Sequence, residues 1–282
     1  MNVQIKAYAK LNLTLDIVGQ QGDFHLLNSV VCSVDIYDLV CVSPRKDKVV
    51  TVIMHGLGSE SIPLEKNNAY IAATAFVKKF NSCGADITVY KNIPMGAGLG
   101  GSSADAAGVL NGLKKLYKID DEIAVKEIAD SIGSDVGYML YGGYALISGR
   151  GENISPIASN LRLDILLFVP QYGVSTAQCF KLFDQGEKPV GVYSQNAKNA
   201  LILGDRALFC KNLNNHLLAP AIALCDDVER EYNNAVSFAP LGVNMTGSGS
   251  AVYAVFESAE MCRYVASRYR GKAKLIQTKT VF

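Results

Sequence analysis

The sequence predicts a two-domain α+β protein, and three observations predict it. A chain of 282 residues exceeds what one hydrophobic core usually organises. With 49% hydrophobic and only 19% charged residues, it has apolar material for two well-filled cores and is not a largely disordered chain. In both halves its apolar pattern mixes period-two runs with runs of helical period.

The elements follow in order. Residues 3–18 alternate as a strand, with one irregularity expected near Lys10, and the glycines at 19 and 22 end it. Residues 29–43 and 48–54 are β-branched, apolar runs separated by PRKDK, the pattern of hairpin-connected strands. Residues 67–80 place Ala72, Ala73, Phe76, Val77 and Phe80 at helical spacing, with Asn67 or Asn68 as N-cap. A short strand over 85–92 leads into a glycine-rich stretch. After it, Ala106, Val109, Leu110, Leu113, Leu116 and Tyr117 make one apolar helical face. Asp120 is placed to cap a further helix ending at Ile132, and a short helix starts near Asp135. A strand over 144–148 precedes a polar stretch at 153–159, which marks a boundary between domains 1–155 and 156–282.

The second half opens with a buried strand over 163–169 and a helix over 177–183. Residues 184–200 read as polar and turn-rich. Helices are expected over 206–213, 217–236 and 259–269, a strand–glycine turn–strand over 243–256, and a last strand over 273–281. No internal repeat or low-complexity segment is present.

Net charge is +1, so no bulk field holds nucleic acid or an anionic membrane, and a bound anion needs a local site. Seven cysteines without a C-x-x-C pair read as free thiols of a reducing cytoplasm and not as a zinc site. The charged, alternating N-terminus is neither a signal nor a transit peptide, and no apolar run approaches the ~20 residues of a membrane helix.

The local site is the stretch PMGAGLGGSSA. Gly96, Gly98, Gly100 and Gly101 permit positive φ and let a bound anion approach the main chain, since no Cβ intervenes. Ser102 and Ser103 then open a helix whose free N–H groups and dipole suit a polyphosphate. A P-loop would need lysine where Ser102 stands. A dinucleotide fingerprint is also matched, with Asp120 and Asp121 about 20 residues on, but residues 121–132 read as a second helix rather than the end of a second strand. A turn that binds nothing needs one glycine, and four in six residues cost backbone entropy.

PMGAGLGGSSAD resembles the second motif of the GHMP small-molecule kinases; AKLNLTLDIVG and MTGSGSAVYAVF resemble the first and third. FHLLNSVVCSVDIYDLV, GSDVGYMLYGGYALISGRGE and PQYGVSTAQCF add to the likeness, which covers nearly the whole chain in the family's order. The resemblance implies an N-terminal domain like domain 2 of ribosomal protein S5 and a ferredoxin-like C-terminal domain. It implies ATP and Mg²⁺ as cofactors and, as substrate, a cytidine diphosphate alcohol of isoprenoid biosynthesis. A kinase for mevalonate or homoserine, and a catalytically silent nucleotide-binding paralogue, are the rival readings.

The resemblance assigns Asp135 as the base and Lys10 as its cationic neighbour. An aspartate at a helix start beside a lysine is kept ionised by charge and dipole together; read without the family, these residues are a helix cap and a surface charge. Asn12 is implied to contact substrate, and Phe24, His25 and Phe180 to hold cytosine by ring stacking and an imidazole hydrogen bond. Pro94, Met95, Gly96, Ala97, Gly98, Leu99, Gly100, Gly101, Ser102, Ser103 and Ala104 are implied to cradle the ATP phosphates, with Ser102 near Mg²⁺ and Asn68 beside adenine. Two departures stand out: Phe24 where the family has tyrosine, in a loop one residue shorter, and Gly137 where it has proline.

Overall fold

A computed structural model describes residues 2–282. The alternating N-terminal run folds as two strands, β1 (Val3–Asn12) and β2 (Thr14–Gln21). The break falls at Leu13 rather than at Lys10, where the Leu13 N–H turns to the carbonyl of Val30, 2.7 Å away. Gln21 pairs with Phe24, so Gly22 and Asp23 form a two-residue turn into β3 (Phe24–Pro44). Gly22 takes φ 60°, which glycine adopts without steric cost.

The hairpin expected around PRKDK does not form. β4 (Thr51–His55) pairs in parallel with β5 (Ala85–Tyr90), which lies antiparallel to β3, so the order is β3-β5-β4. The cause lies just past β3. Arg45 donates its N–H to the Gly84 carbonyl (3.1 Å) and its guanidinium to Asp86 (2.7 Å), and Gly84 donates to Asp47 (2.6 Å). These bonds give the exit of β3 to β5.

Between β4 and β5 runs α1 (Asn68–Phe80), capped by Asn67, whose side chain accepts from the Ala69 N–H. Then come α2 (Gly101–Tyr117), α3 (Glu122–Ile132), α4 (Ser134–Met139), β6 (Tyr144–Gly149) and β7 (Asn153–Pro156). Asp121, not Asp120, caps α3 by accepting from Ala124. β8 (Asp164–Val169) and α5 (Thr176–Gln185) follow as expected. The stretch read as turn-rich contains a helix, α6 (Ser194–Leu203). Next are α7 (Arg206–Lys211) and a two-residue strand, β9 (Asn214–Asn215). The single helix expected over 217–236 is two, α8 (Leu218–Leu224) and α9 (Asp226–Ser237), separated by the extended Cys225. Asp226, Asp227 and Glu229 favour a helix start there. The chain ends with β10 (Gly242–Met245), β11 (Val252–Phe256), α10 (Ala259–Arg268) and β12 (Lys274–Val281).

Two compact units result, each assembled from separated segments. The first comprises residues up to Ala9, Ile36–Pro94 and Gly100–Gly142. In it α2 lies very close to the sheet. A Cβ at Gly108 would stand 2.9 Å from a Val40 methyl, and one at Gly112 would stand 2.7 Å from a Val42 methyl. These glycines set the height of α2 on the sheet.

The second unit comprises Lys10–Asp35, Met95–Leu99 and Gly143–Phe282. Its antiparallel order is β10-β11-β8-β12, with β12 continuing onto β3 through Thr280–Val34. β3 also pairs with β2 and β6, while β9 adds to β2 in parallel. Leu166, Phe168, Val252, Ala254 and Phe256 pack beneath Cys179, Phe183, Leu217, Val228, Cys262 and Val265. Burying each large side chain contributes roughly 1.5–3 kcal/mol. No described helix is long and apolar enough to cross a membrane.

Candidate active site

The glycine stretch is built from left-handed backbone. Gly96, Gly98 and Gly100 have φ of 67°, 75° and 72°. At Gly98 a second constraint applies, because a Cβ would lie 2.2 Å from the Thr246 carbonyl oxygen. Only glycine lets this loop rest on the second glycine run, Thr246–Gly249. Thr246 Oγ1 donates to the Gly98 carbonyl (3.1 Å), and the Ala251 N–H donates to the Ala97 carbonyl (3.3 Å). Gly96, by contrast, has open space where its Cβ would project. Met95 and Gly96 are exposed; Ala97 and Leu99 are buried beneath them.

In the first unit, α2 starts at Gly101 after Gly100, with no side-chain cap. Its first-turn N–H groups are therefore left for another acceptor. The Ser102 side chain is exposed, Ser103 is half-buried, and Ala104 is buried with its N–H on the Gly100 carbonyl (2.9 Å). Asn67 takes the capping role at α1, which leaves Asn68 half-buried as the first helical residue. Asp135 occupies the first turn of α4 and is half-buried; Gly137, one of the two departures, lies buried within the same helix.

A buried ionic cluster ties the exit of β5 to the start of α2 within the first unit. Lys91 lies between Asp38 and Asp105, donating to Asp105 at 2.6 Å and also to Asp38. The other Asp38 oxygen accepts the N–H groups of Asn92 (2.5 Å) and Ile93 (2.8 Å). The exit of β5 is thus held by Asp38, and α2 by Lys91 through Asp105. Burial, reinforced by the neighbouring Asp38 charge and opposed by Lys91, pushes the Asp105 acid up to about 8. Its Oδ1 is buried without a hydrogen-bond partner among the described residues.

In the second unit, Lys10 and Asn12 are fixed to the glycine loop at two points. The Lys10 N–H donates to the Leu99 carbonyl (3.1 Å). The Asn12 N–H donates to Thr246 Oγ1 (3.0 Å), the hydroxyl that bonds Gly98. Lys10 Nζ donates to Asn12 Oδ1 (2.5 Å), and Asn12 Nδ2 donates to Ser29 Oγ (2.9 Å), so the amide orientation is set from both sides. Thr14 Oγ1 stands 2.8 Å from Ser194 Oγ, which donates to Asp16 (2.6 Å). Asp16 also accepts the N–H groups of Tyr193 (2.9 Å) and Ser194 (2.8 Å), which makes it the cap of α6.

At the start of β3, Phe24 and His25 follow strand alternation and project to opposite faces. His25 stacks on Phe180, with ring centroids 4.6 Å apart, and its Nε2 lies 2.8 Å from Asp184 Oδ1. Phe24 is exposed, with the Arg150 guanidinium 4.7 Å from its ring centre. Phe180 therefore meets His25 rather than Phe24. The loop before α5 closes over the glycine stretch: a Cβ at Gly173 would stand 2.7 Å from the Gly96 carbonyl oxygen.

Sequence comparison agrees with this geometry. The family models "GHMP kinases N terminal domain" and "GHMP kinases C terminal" match residues 67–143 and 197–271. A 4-diphosphocytidyl-2-C-methyl-D-erythritol kinase of Clostridium tetani is 34% identical over 275 residues, covering 95% of this chain and 97% of that protein. The chain belongs to the GHMP kinase family. This GHMP kinase is also 35% identical over 262 residues to a 4-diphosphocytidyl-2-C-methyl-D-erythritol kinase of Caldicellulosiruptor saccharolyticus, covering 89% of this chain and 87% of that one. A crystal structure of a 4-(cytidine 5'-diphospho)-2C-methyl-D-erythritol kinase superposes with a TM-score of 0.80 at 27% identity, covering 99% of this chain and 100% of that chain.

The match to the N-terminal family model spans Asn68, the glycine stretch and Asp135, while Lys10, Asn12 and His25 lie before it. Sequence reasoning about this kinase missed Lys91, Asp38, Asp105, Asp16, Asp184 and Arg150. For Asp16 and Asp38 a signal was present: Asp16 is the one acid of β2 and Asp38 sits among apolar residues late in β3, and a carboxylate buried there requires partners.

Proposed function

We propose that this kinase transfers the γ-phosphoryl group of ATP to the 2-hydroxyl of 4-diphosphocytidyl-2-C-methyl-D-erythritol, a step of non-mevalonate isoprenoid biosynthesis in the cytoplasm. The observation that carries the reading is the pair of bonds fixing Lys10 and Asn12 to Leu99 and Thr246. They hold a cation beside backbone whose glycines admit phosphate.

The residues fit the nucleotide. Pro94–Ala104 offers open space at Gly96 and an uncapped start of α2, both suited to phosphate oxygens. Asn68, half-buried at the start of α1, is assigned to the edge of adenine. Among the described residues no three His, Cys, Asp or Glu side chains cluster to hold a metal. Mg²⁺ therefore fits as an ion carried on the phosphates, with the exposed Ser102 hydroxyl as the chain's ligand. When bound, it neutralises charge on the transferring oxygens.

In the proposed chemistry the substrate hydroxyl oxygen bonds to the γ-phosphorus, the bond from that phosphorus to the bridging oxygen breaks, and ADP departs. Asp135 accepts the hydroxyl proton, a role worth about 10²–10⁴-fold. Lys10 stabilises charge on the reacting oxygens, and Asn12, oriented by Lys10 and Ser29, presents a fixed amide to the substrate. Phe24, His25 and Phe180 receive the cytosine.

ADP release measured over the cytidylyl substrate, mevalonate and homoserine tests the reading. Turnover with the cytidylyl substrate alone is expected. Turnover with another alcohol reassigns the substrate, and none with any of them leaves a catalytically silent nucleotide-binding protein.

A further inference from the structure

Phe24 is 56% exposed, yet its ring is not bare. The Arg150 guanidinium lies 4.7 Å from the ring centre, and among the described residues no carboxylate pairs with that guanidinium. The cation is therefore held by a ring and left uncompensated. A guanidinium stays charged at any working pH, and one stacked on a ring directs its N–H groups outward in its own plane, past the rim.

A tight hairpin loop fixes Arg150 there. Ser148 pairs with Asn153, so the turn between β6 and β7 is Gly149, Arg150, Gly151 and Glu152. Gly149 and Gly151 take φ of 73° and 113°, in the region that favours glycine. The Gly151 N–H donates to the Ser148 carbonyl (3.3 Å), and the Arg150 N–H donates to Glu152 Oε2 (2.7 Å). Glu152 thus holds the backbone of Arg150 and leaves its head to the ring. Gly149 pairs with Leu27, three positions after Phe24, which sets the loop beside the start of β3.

We propose that Arg150 binds the diphosphate of the substrate, so that the site takes a nucleoside diphosphate in preference to the bare nucleoside. The inference rests on the reading above that Phe24 meets the cytosine. From a base on that ring, the ribose and then the two phosphates lead past the rim, where the guanidinium offers its N–H groups. A diphosphate diester is doubly negative at neutral pH, and the planar fork of an arginine matches two phosphate oxygens at once. A stack that only shields the Phe24 ring from water would affect ligands with and without phosphate alike.

The test measures competition against the cytidylyl substrate by CDP and by cytidine, at saturating ATP, in the wild type and in Arg150→Gln. In the wild type CDP should bind roughly 10- to 100-fold more tightly than cytidine, the span of one or two charge-assisted hydrogen bonds. In the variant that preference should shrink by about 10-fold, through weaker CDP binding and not through cytidine. KM for the cytidylyl substrate should rise in step with the inhibition constant of CDP, while KM for ATP holds. Added salt should narrow the wild-type preference more than that of the variant. Equal weakening of CDP and cytidine would make Arg150 a group that only packs on Phe24, and no change in either would make it a solvated surface cation; both results overturn the proposal and leave the cytidylyl reading standing. Failure of both cytidine and CDP to compete in the wild type removes that reading and the diphosphate assignment together.

Discussion

The Lys91 ammonium donates a 2.6 Å hydrogen bond to Oδ2 of the Asp105 carboxyl group, with both side chains almost wholly buried. Lys91 also meets Asp38, whose second oxygen holds the N–H groups of Asn92 and Ile93. One cation thereby joins the strand that enters the glycine stretch to the helix that leaves it. Removing it leaves the Asp38 and Asp105 carboxyl groups in the interior without their shared donor. Lys91→Met should lower stability by about 3–5 kcal/mol, the range for breaking a buried pair on one side. Urea unfolding checks this, and a loss under about 1 kcal/mol would place the pair among the weak surface bridges.

The same cluster gives a pH dependence. Asp105 ordinarily titrates near 3.8 and is raised to about 8 in the fold, first by burial. Between those values the folded chain holds a proton that the unfolded chain has released. Stability from this group is therefore fully present below about pH 4 and lost as pH rises towards 8. Asp105→Asn mimics the neutral acid and has no such titration. Its stability relative to wild type should improve steadily from about pH 5 to pH 8 and then level off, on top of a constant offset. Parallel unfolding profiles across that range would show that Asp105 does not titrate there.

How far these features were legible in the sequence depends on the distance over which each is decided. The glycine stretch, α1 and α2 were readable because their determinants are local: apolar spacing, Asn67 as cap, and glycines before a helix. α6 was not, because its capping group is Asp16, 178 positions from Ser194. The partner of β4 was likewise hidden, since an apolar run of five residues does not name its neighbour. Arg45, Gly84 and Asp86 decide it. The break between α8 and α9 had its cue in the acidic start at Asp226, which the long apolar pattern before it obscured. At the site, the likeness of motifs pointed to His25 and Phe180, but the stacking of one on the other depends on the register of Gly22, Asp23 and the β2–β3 turn.

Gly98 and Gly96 should fail in different ways. Gly98→Ala puts a methyl 2.2 Å from the Thr246 carbonyl oxygen at φ 75°, so backbone must move. A loss of more than about 2 kcal/mol is expected, above the ~1–2 kcal/mol of left-handed strain alone. Gly96→Ala keeps the strain, at φ 67°, but meets nothing within 4 Å. It should cost about 1–2 kcal/mol of stability while weakening ATP binding, because its methyl enters the space assigned to phosphate. Unfolding and nucleotide titration on both variants separate the two effects; equal stability losses would contradict the packing argument at Gly98.

Asp135 is the sharpest test of the proposed chemistry. Asparagine has nearly the same shape and keeps a hydrogen-bonding group in the first turn of α4, but it cannot take a proton from the substrate hydroxyl. If Asp135 is the base, Asp135→Asn should reduce kcat by at least about 10² and leave nucleotide affinity near that of wild type. A base acts in the transition state, so kcat and kcat/KM should fall together. A variant with full turnover would remove Asp135 from the reaction. One with normal kcat and a raised KM would make it a substrate-binding group, and Lys10 would then be the remaining charged group assigned to the reacting oxygens.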